Sequence, residues 1–245
     1  HDLIIWPEAA IPDYYERQAD VLTEVARNAA QSGSALLLGI LGRDAQTNAA
    51  QNVLVAMTNP PGVYVKRHLV PYGEYSPVPD FVRAWLRLNN LPSSDMQPGA
   101  PDQPPLAIGG ERIAVTICYE DVFGAEQLHS LPDATLLVNV SNDAWFGNSI
   151  APHQHLQIAR VRAAEAGRYL LRATNTGVSA VIDPTGAVVA TLPLFEAGVL
   201  TAEFRGYTGL TPYARWGNYP VVLGAALVLA AVLAWRRLRP ASRQP

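Results

Sequence analysis

The chain has one cysteine, Cys118, placed where an apolar run of strand type, "RIAVTI", gives way to the polar trio Tyr119-Glu120-Asp121. A strand that ends in a sharp turn presents its last side chain at the sheet edge, where α/β proteins bind ligands. A thiol there can act as a nucleophile once a neighbour takes its proton. A buried structural cysteine is the plainer alternative, because free cysteine is among the most buried residue types. Two further polar residues follow apolar runs in the same way. Glu8 comes just after the first such run, in "WPEAA". Lys66 comes near the end of another, in "YVKRHLVPYGEY", with Glu74 in the loop beyond it. Carboxylate, ammonium and thiol in one place would supply a base, a fixed positive charge and a nucleophile. Singly, Glu8 reads as a helix N-terminal carboxylate, Lys66 as a solvated charge and Glu74 as a surface acid.

The elements that must position these residues alternate. Residues 1–6 read as a strand, and 13–31 as a helix with apolar positions at helical spacing and Asp13 as its cap. "SALLLGILGR" reads as a buried strand. "QNVLVAMT" and "GVYVKRHLV" read as two strands joined by the turn "NPPG". Residues 71–105 are rich in proline and large apolar side chains, with a short helix expected near "DFVRAWLRL". They read as an arm over the site or dipping into lipid, with core packing as the alternative. After "RIAVTI", Asp121 reads as a helix cap. A short helix at 123–130, the strand "ATLLVNV", a long helix from about Pro152 to Ala173, and the strands "GVSAVID", "AVVATLP" and "GVLTAEF" complete the pattern of a mixed α/β sandwich.

The C-terminal run "YPVVLGAALVLAAVLAW" carries no charge and is followed by "RRLRP". It reads as a short membrane span over 216–237, flanked by Trp216, Tyr219 and Trp235, with residues 238–245 as a cytoplasmic tail. The opening residues already read as a strand and show no signal peptide, so an upstream portion is expected. A net charge of −3 gives no sign of a nucleic-acid partner, and one cysteine cannot build a disulfide framework. His153 and His155, two apart on a helix, do not share a face, so no metal site is expected. Arg162 and Glu165, three apart, read as a local ion pair.

Glu8 and Lys66 lie 58 positions apart, and Lys66 and Cys118 lie 52 apart. This order and scale resemble the carbon–nitrogen hydrolase (nitrilase) superfamily. "KRHLVPYGEY", "ICYED", "VNVSNDAWFG", "PHQHLQIARVRAAEAGRYLLRATNTG" and "AVIDPTG" resemble its apolipoprotein N-acyltransferase branch, over nearly the whole chain. The resemblance implies a nitrilase-like α-β-β-α sandwich over 1–210, short of its first strand and helix, followed by one C-terminal transmembrane helix. It implies Glu8 as base, Lys66 as oxyanion stabiliser and Cys118 as nucleophile. Glu74, Tyr119 and Glu120 match supporting or substrate-binding positions. Asn142 and Trp145 are candidates for the pocket mouth, against plain turn chemistry with a packed aromatic. The implied reaction takes a fatty acyl group from a phospholipid, through a Cys118 thioester, to the N-terminal amine of a diacylglyceryl-cysteine apolipoprotein. No cofactor is implied. The implied setting is the bacterial inner membrane, multi-pass in the full-length protein, with the catalytic domain on the periplasmic face. A membrane-tethered amidase with water as acceptor is the alternative, and a non-enzymatic anchored module a more distant one.

Overall fold

The computed structural model describes residues 3–79, 81, 82, 88 and 95–238. Most of the helix expected near "DFVRAWLRL", including Trp85 and Leu86, lies outside them, as do Leu91 and Arg239. Two sheets form the core. The first holds β1 (Leu3–Ile5), β2 (Ile11–Tyr14), β3 (Ala35–Arg43), β4 (Ala50–Ala56) and β5 (Gly62–Val65), in the order β1-β3-β4-β5 with β2 also on β3. The second holds β6 (Leu106–Ile108), β7 (Glu111–Ile117), β8 (Leu136–Ser141), β9 (Leu170–Thr174), β10 (Ala180–Ile182) and β11 (Val188–Thr191), ordered β11-β10-β9-β8-β7-β6. β7, β8 and β9 run parallel, so their C-terminal ends open on one edge.

The side-chain period of two decides which face each strand residue serves. Leu37, Leu54 and Tyr64 of the first sheet meet Ile113, Val115, Ile117, Val138 and Val140 of the second between the sheets. The alternate positions Leu38, Ile40, Val53 and Val55 face outward and pack against Leu22 of α1 (Ala19–Gln31). On the other outer face Ala114, Leu137 and Ile182 pack against Ala159, Ala163 and Ala166 of α3 (Ala151–Ala166). Alanines at this spacing let the helix approach the sheet closely. The four layers are therefore helix, sheet, sheet, helix, with one apolar cluster between the sheets and one under the helix on each outer face.

α2 (Gly124–Gln127) is a short turn after β7, α4 (Pro212–Trp216) follows the sandwich, and α5 (Tyr219–Leu238) ends the described chain. The segment Tyr219–Arg237 is long and apolar enough to cross a membrane, with a mean hydropathy of 1.8, and none of it is buried against the rest of the protein. A soluble core helix would bury such a surface, so the exposure is what a lipid-facing span requires.

Three expectations change. The long helix stops at Ala166, because Gly167 takes the left-handed conformation (φ +63°) that caps it, and "LLRAT" becomes β9. A short apolar run bounded by a glycine cannot be told from a helix end by periodicity alone. "GVLTAEF" forms no strand; it borders a cavity of about 1090 Å³ together with β1. Asp13 lies in β2 and accepts from the Gln18 side chain, and the first turn, Tyr15–Gln18, is 3-10. The Arg162–Glu165 pair forms, at 2.8 Å.

Candidate active site

Cys118 begins the turn that leaves the C-terminal end of β7, and its φ of +53° is left-handed. A non-glycine residue held there costs on the order of 1–3 kcal/mol, so surrounding contacts must impose it. Glu120 supplies several. Its carboxylate reaches back to accept the Ile117 backbone N–H at 2.7 Å. It also accepts the backbone N–H groups of Arg67 (2.6 Å) and His68 (3.2 Å) and the Tyr64 hydroxyl (3.0 Å). Burial pushes this carboxyl up, and the N–H groups of Ile117, Arg67 and His68 pull it back. Glu120 thus fastens the cysteine turn to the stretch that follows β5, which carries Lys66.

Glu8 follows β1 on the turn "PEA", where Ala9 is also left-handed (φ +47°). Its Oε1 accepts from Lys66 Nζ (3.1 Å) and Asn52 Nδ2 (2.7 Å), and its Oε2 from the Asn142 backbone N–H (2.6 Å). Lys66, only 1 % exposed, also donates to Glu74 Oε1 at 2.8 Å, and Asn52 does the same at 3.1 Å. Glu74 is oriented in turn by the Val70 N–H, which donates to its Oε2 at 2.8 Å. Two carboxylates therefore share two donors, one charged and one neutral. Asn52 went unnoticed in the sequence because it reads as an ordinary residue of β4; only its pairing across 44 positions brings it to Glu8.

The charges explain the proton states. Burial and the Glu8 carboxylate push the Cys118 thiol up to about 11, although Lys66 and the Ser141 hydroxyl pull it down. The pull of Lys66 towards the thiolate is outweighed by burial and Glu8, and the resting group is a thiol. Burial pulls the Lys66 ammonium down, but the Glu8 and Glu74 carboxylates hold it above the ordinary lysine range, and a thiolate at Cys118 adds to them once it forms. A proton passed from the thiol to Glu8 leaves the net charge of this buried group unchanged, so the transfer avoids the cost of creating a new buried charge.

A second polar layer lies beneath Cys118. Asp121, expected as a cap, is instead buried and accepts from Thr116 Oγ1 at 2.6 Å. Arg172 of β9, fully buried, donates to Asp143 Oδ2 at 2.9 Å and to Asn139 Oδ1, and lies 3.7 Å from Asp121. His155 of α3 places Nδ1 3.0 Å from Asp143 Oδ1 and Nε2 3.2 Å from the Cys118 carbonyl oxygen. Burial would raise the Asp143 carboxyl, but His155, Arg172 and Ser141 hold it below the usual range.

The remaining candidates sit farther out. Asn142 reaches Glu8 through its backbone, while its side chain caps the turn by accepting the Ala144 N–H at 3.2 Å. Tyr119 is exposed and meets Phe123 edge-on at 5.2 Å. Trp145 is 81 % exposed. Among the described residues no cluster of histidine, cysteine or acidic side chains is arranged to hold a metal.

Comparison with known proteins identifies the family. The carbon–nitrogen hydrolase family model matches residues 1–213. Proteins named apolipoprotein N-acyltransferase from Methylococcus capsulatus and Nitrosomonas europaea are 45 % and 46 % identical over 99 % and 94 % of this chain. The chain spans 48 % and 46 % of those proteins, about half the length of the curated relatives it matches. Among solved structures, Nit3 of Saccharomyces cerevisiae, described as a member of branch 10 of the nitrilase superfamily, superposes with a TM-score of 0.59. It is 18 % identical, over 80 % of this chain and 74 % of that one. A carbon–nitrogen hydrolase from Helicobacter pylori gives 0.60 at 15 % identity, over 78 % and 73 %. The chain belongs to the carbon–nitrogen hydrolase family.

Proposed function

We propose that this chain is the acyl-transfer portion of an apolipoprotein N-acyltransferase, taking a fatty acyl group from a phospholipid and delivering it to a lipoprotein N-terminal amine. The carrying observation is the buried Lys66 ammonium held between Glu8 and Glu74 beside the only thiol. The exposed apolar helix α5 and the names of the relatives, about half of whose length this chain spans, favour a lipid donor over a soluble amide.

Cys118 Sγ attacks the ester carbonyl of the donor while Glu8 takes the thiol proton. The tetrahedral oxyanion forms near the Lys66 ammonium and the N–H of Tyr119; one well-placed donor is typically worth about 3–4 kcal/mol of barrier. Collapse expels the lysophospholipid alkoxide, which takes the proton from Glu8, and leaves the acyl group on sulfur. The acceptor amine then attacks the thioester, Glu8 accepts the amine proton, and the proton returns to sulfur as the amide leaves. Glu74 and Asn52 hold Glu8 and Lys66 in register. The role of Glu120 in this scheme is to join the nucleophile turn to the Lys66 stretch, and Tyr119 acts through its backbone. Asn142 contributes its N–H to Glu8, and Trp145 stands at the outer rim. No cofactor enters. Arg236 and Arg237 at the end of α5 favour a cytoplasmic location for that end, and with it a sandwich on the periplasmic face of the bacterial inner membrane.

The test uses the full-length protein containing this chain, in phospholipid vesicles without acceptor. Intact mass should show Cys118 heavier by one fatty acyl group, and a peptide with a diacylglyceryl N-terminal cysteine should discharge it into an amide. Continuous fatty-acid release with no amide formed would transfer the assignment to a membrane-tethered hydrolase. A reporter fused after Pro245 that reads as periplasmic would overturn the orientation.

A further inference from the structure

The geometry points to His155 as a positioning residue for the oxyanion site, acting through the Cys118–Tyr119 peptide. The inference rests on Cys118 reacting through a tetrahedral oxyanion.

The peptide between Cys118 and Tyr119 is trans, since the one cis bond among the described residues is Asn59–Pro60. In a planar trans unit the carbonyl oxygen and the following N–H point in opposite directions. Whatever fixes the Cys118 carbonyl therefore fixes the Tyr119 N–H. His155 Nε2 lies 3.2 Å from that carbonyl oxygen. A carbonyl has no proton to give, and neither has the ionised Asp143 carboxylate, so both contacts are hydrogen bonds when each ring nitrogen carries a hydrogen.

The ring is itself locked. Nδ1 faces Asp143 Oδ1 at 3.0 Å, Ser141 Oγ donates to the same oxygen at 2.7 Å, and the buried Arg172 guanidinium grips Oδ2 at 2.9 Å. Gly177 leaves room for this carboxylate: a Cβ there would lie 2.1 Å from Asp143 Oδ2. The pull on the carbonyl is therefore delivered from a rigid, buried frame on β8, β9 and α3. It is applied to the one residue of the site whose φ is +53° and nearest to sulfur. A left-handed residue can relax by rotating the peptide that follows it, and that rotation would swing the Tyr119 N–H away from its place. Burying the imidazole, at 9 % exposure, opposes that relaxation. His155 touches neither sulfur nor substrate in this scheme, so its removal should spare reactions at Cys118 that make no oxyanion.

The full-length protein in detergent supplies the test, with two reagents. A p-nitrophenyl ester acylates through an oxyanion whatever the natural donor is; iodoacetamide alkylates sulfur by direct displacement at carbon and forms none. In His155→Phe, which keeps a ring and removes both nitrogens, Cys118 acylation should slow about 100-fold, with KM for the ester little changed and the alkylation rate unchanged. His155→Gln, which restores one N–H donor, should recover much of the loss. His155→Ala gives the same comparison where the phenylalanine variant does not fold. Acylation at the wild-type rate in the donor-free variants overturns the inference. So do equal losses in acylation and alkylation, or no recovery with glutamine. A wild-type protein that is alkylated but never acylated brings down the nucleophile reading itself, and the inference with it.

Discussion

A Cβ placed on Gly39 would lie 2.2 Å from the carbonyl oxygen of Pro7 and 2.8 Å from the Cα of Glu8. Gly39 is in the middle of β3, and the missing side chain is what lets the Glu8 turn lie against that strand. The backbone of Pro7 and Glu8 is the obstacle, so no flexible side chain can give way. Gly39→Ala should push Glu8 away from Lys66 and Asn52. We expect a loss of about 1–3 kcal/mol in unfolding free energy and at least a 100-fold fall in Cys118 acylation. Normal acylation in a folded Gly39→Ala protein would show that Glu8 is not positioned in this way.

The thiol's position predicts a sign pattern for alkylation against pH. With burial and Glu8 raising it to about 11, wild-type Cys118 should alkylate faster with each rise in pH well beyond the range of an ordinary thiol. Glu8→Gln removes a negative neighbour and should shift the midpoint down. Lys66→Met removes the positive one and should shift it up. Glu8→Gln should therefore be alkylated more readily at pH 8 while losing acyl transfer, because a thiolate without a base to carry the leaving-group proton is not enough. Iodoacetamide kinetics from pH 6 to 11 read both shifts as the rate at a given pH, higher in Glu8→Gln and lower in Lys66→Met; rates equal to wild type across the range in both variants would remove the charge coupling.

Glu120→Gln tests the fastening between the two catalytic stretches. The carboxylate accepts four hydrogen bonds through both oxygens. Glutamine keeps one acceptor oxygen and turns an NH2 towards groups that also donate. Leaving buried donors unpaired costs about 1–3 kcal/mol each. The variant should unfold at lower denaturant, and its acylation should fall although no atom of Glu120 is assigned to the substrate. Full stability by urea titration would show that the four bonds do not hold the turn.

The sequence made Cys118 legible because a lone thiol closed an apolar run, and the sandwich because its strands are uninterrupted apolar stretches between glycines and prolines. Glu8, Lys66 and Glu74 were found through resemblance, since each alone reads as an ordinary charge. Asn52, Asp143, His155 and Arg172 escaped, because their meaning lies in contacts between strands and helices 12 to 44 positions apart. The histidine pair was judged for metal and set aside; spacing cannot tell that one imidazole would face a carbonyl. "LLRAT" was absorbed into a helix, though the glycine of "EAGR" was the available signal for its end.

Arg168 ties the sandwich to the membrane helix and gives the last prediction. Nearly fully buried, it donates to the carbonyls of Ala134 (3.0 Å), Ala166 (3.4 Å), Gly167 (3.2 Å) and Gly209 (2.6 Å). Gly209 belongs to the linker that leads through Thr211, whose hydroxyl donates to the Glu165 carbonyl, into α4 and α5. The guanidinium thus joins the α3–β9 corner, the end of the loop before β8 and the linker. Hydrogen bonds to a charged donor are worth about 1.5–3 kcal/mol each, without simple additivity. In Arg168→Ala the linker should loosen while the Glu8–Lys66–Cys118 geometry, built on other strands, persists. Acylation from vesicle phospholipid should then fall by about tenfold or more, because the site is no longer held at a fixed height above the bilayer. Acylation by a water-soluble p-nitrophenyl ester should stay within about twofold of wild type. Equal losses with both donors would mean that Arg168 supports the sandwich as a whole and leaves the membrane coupling to other contacts.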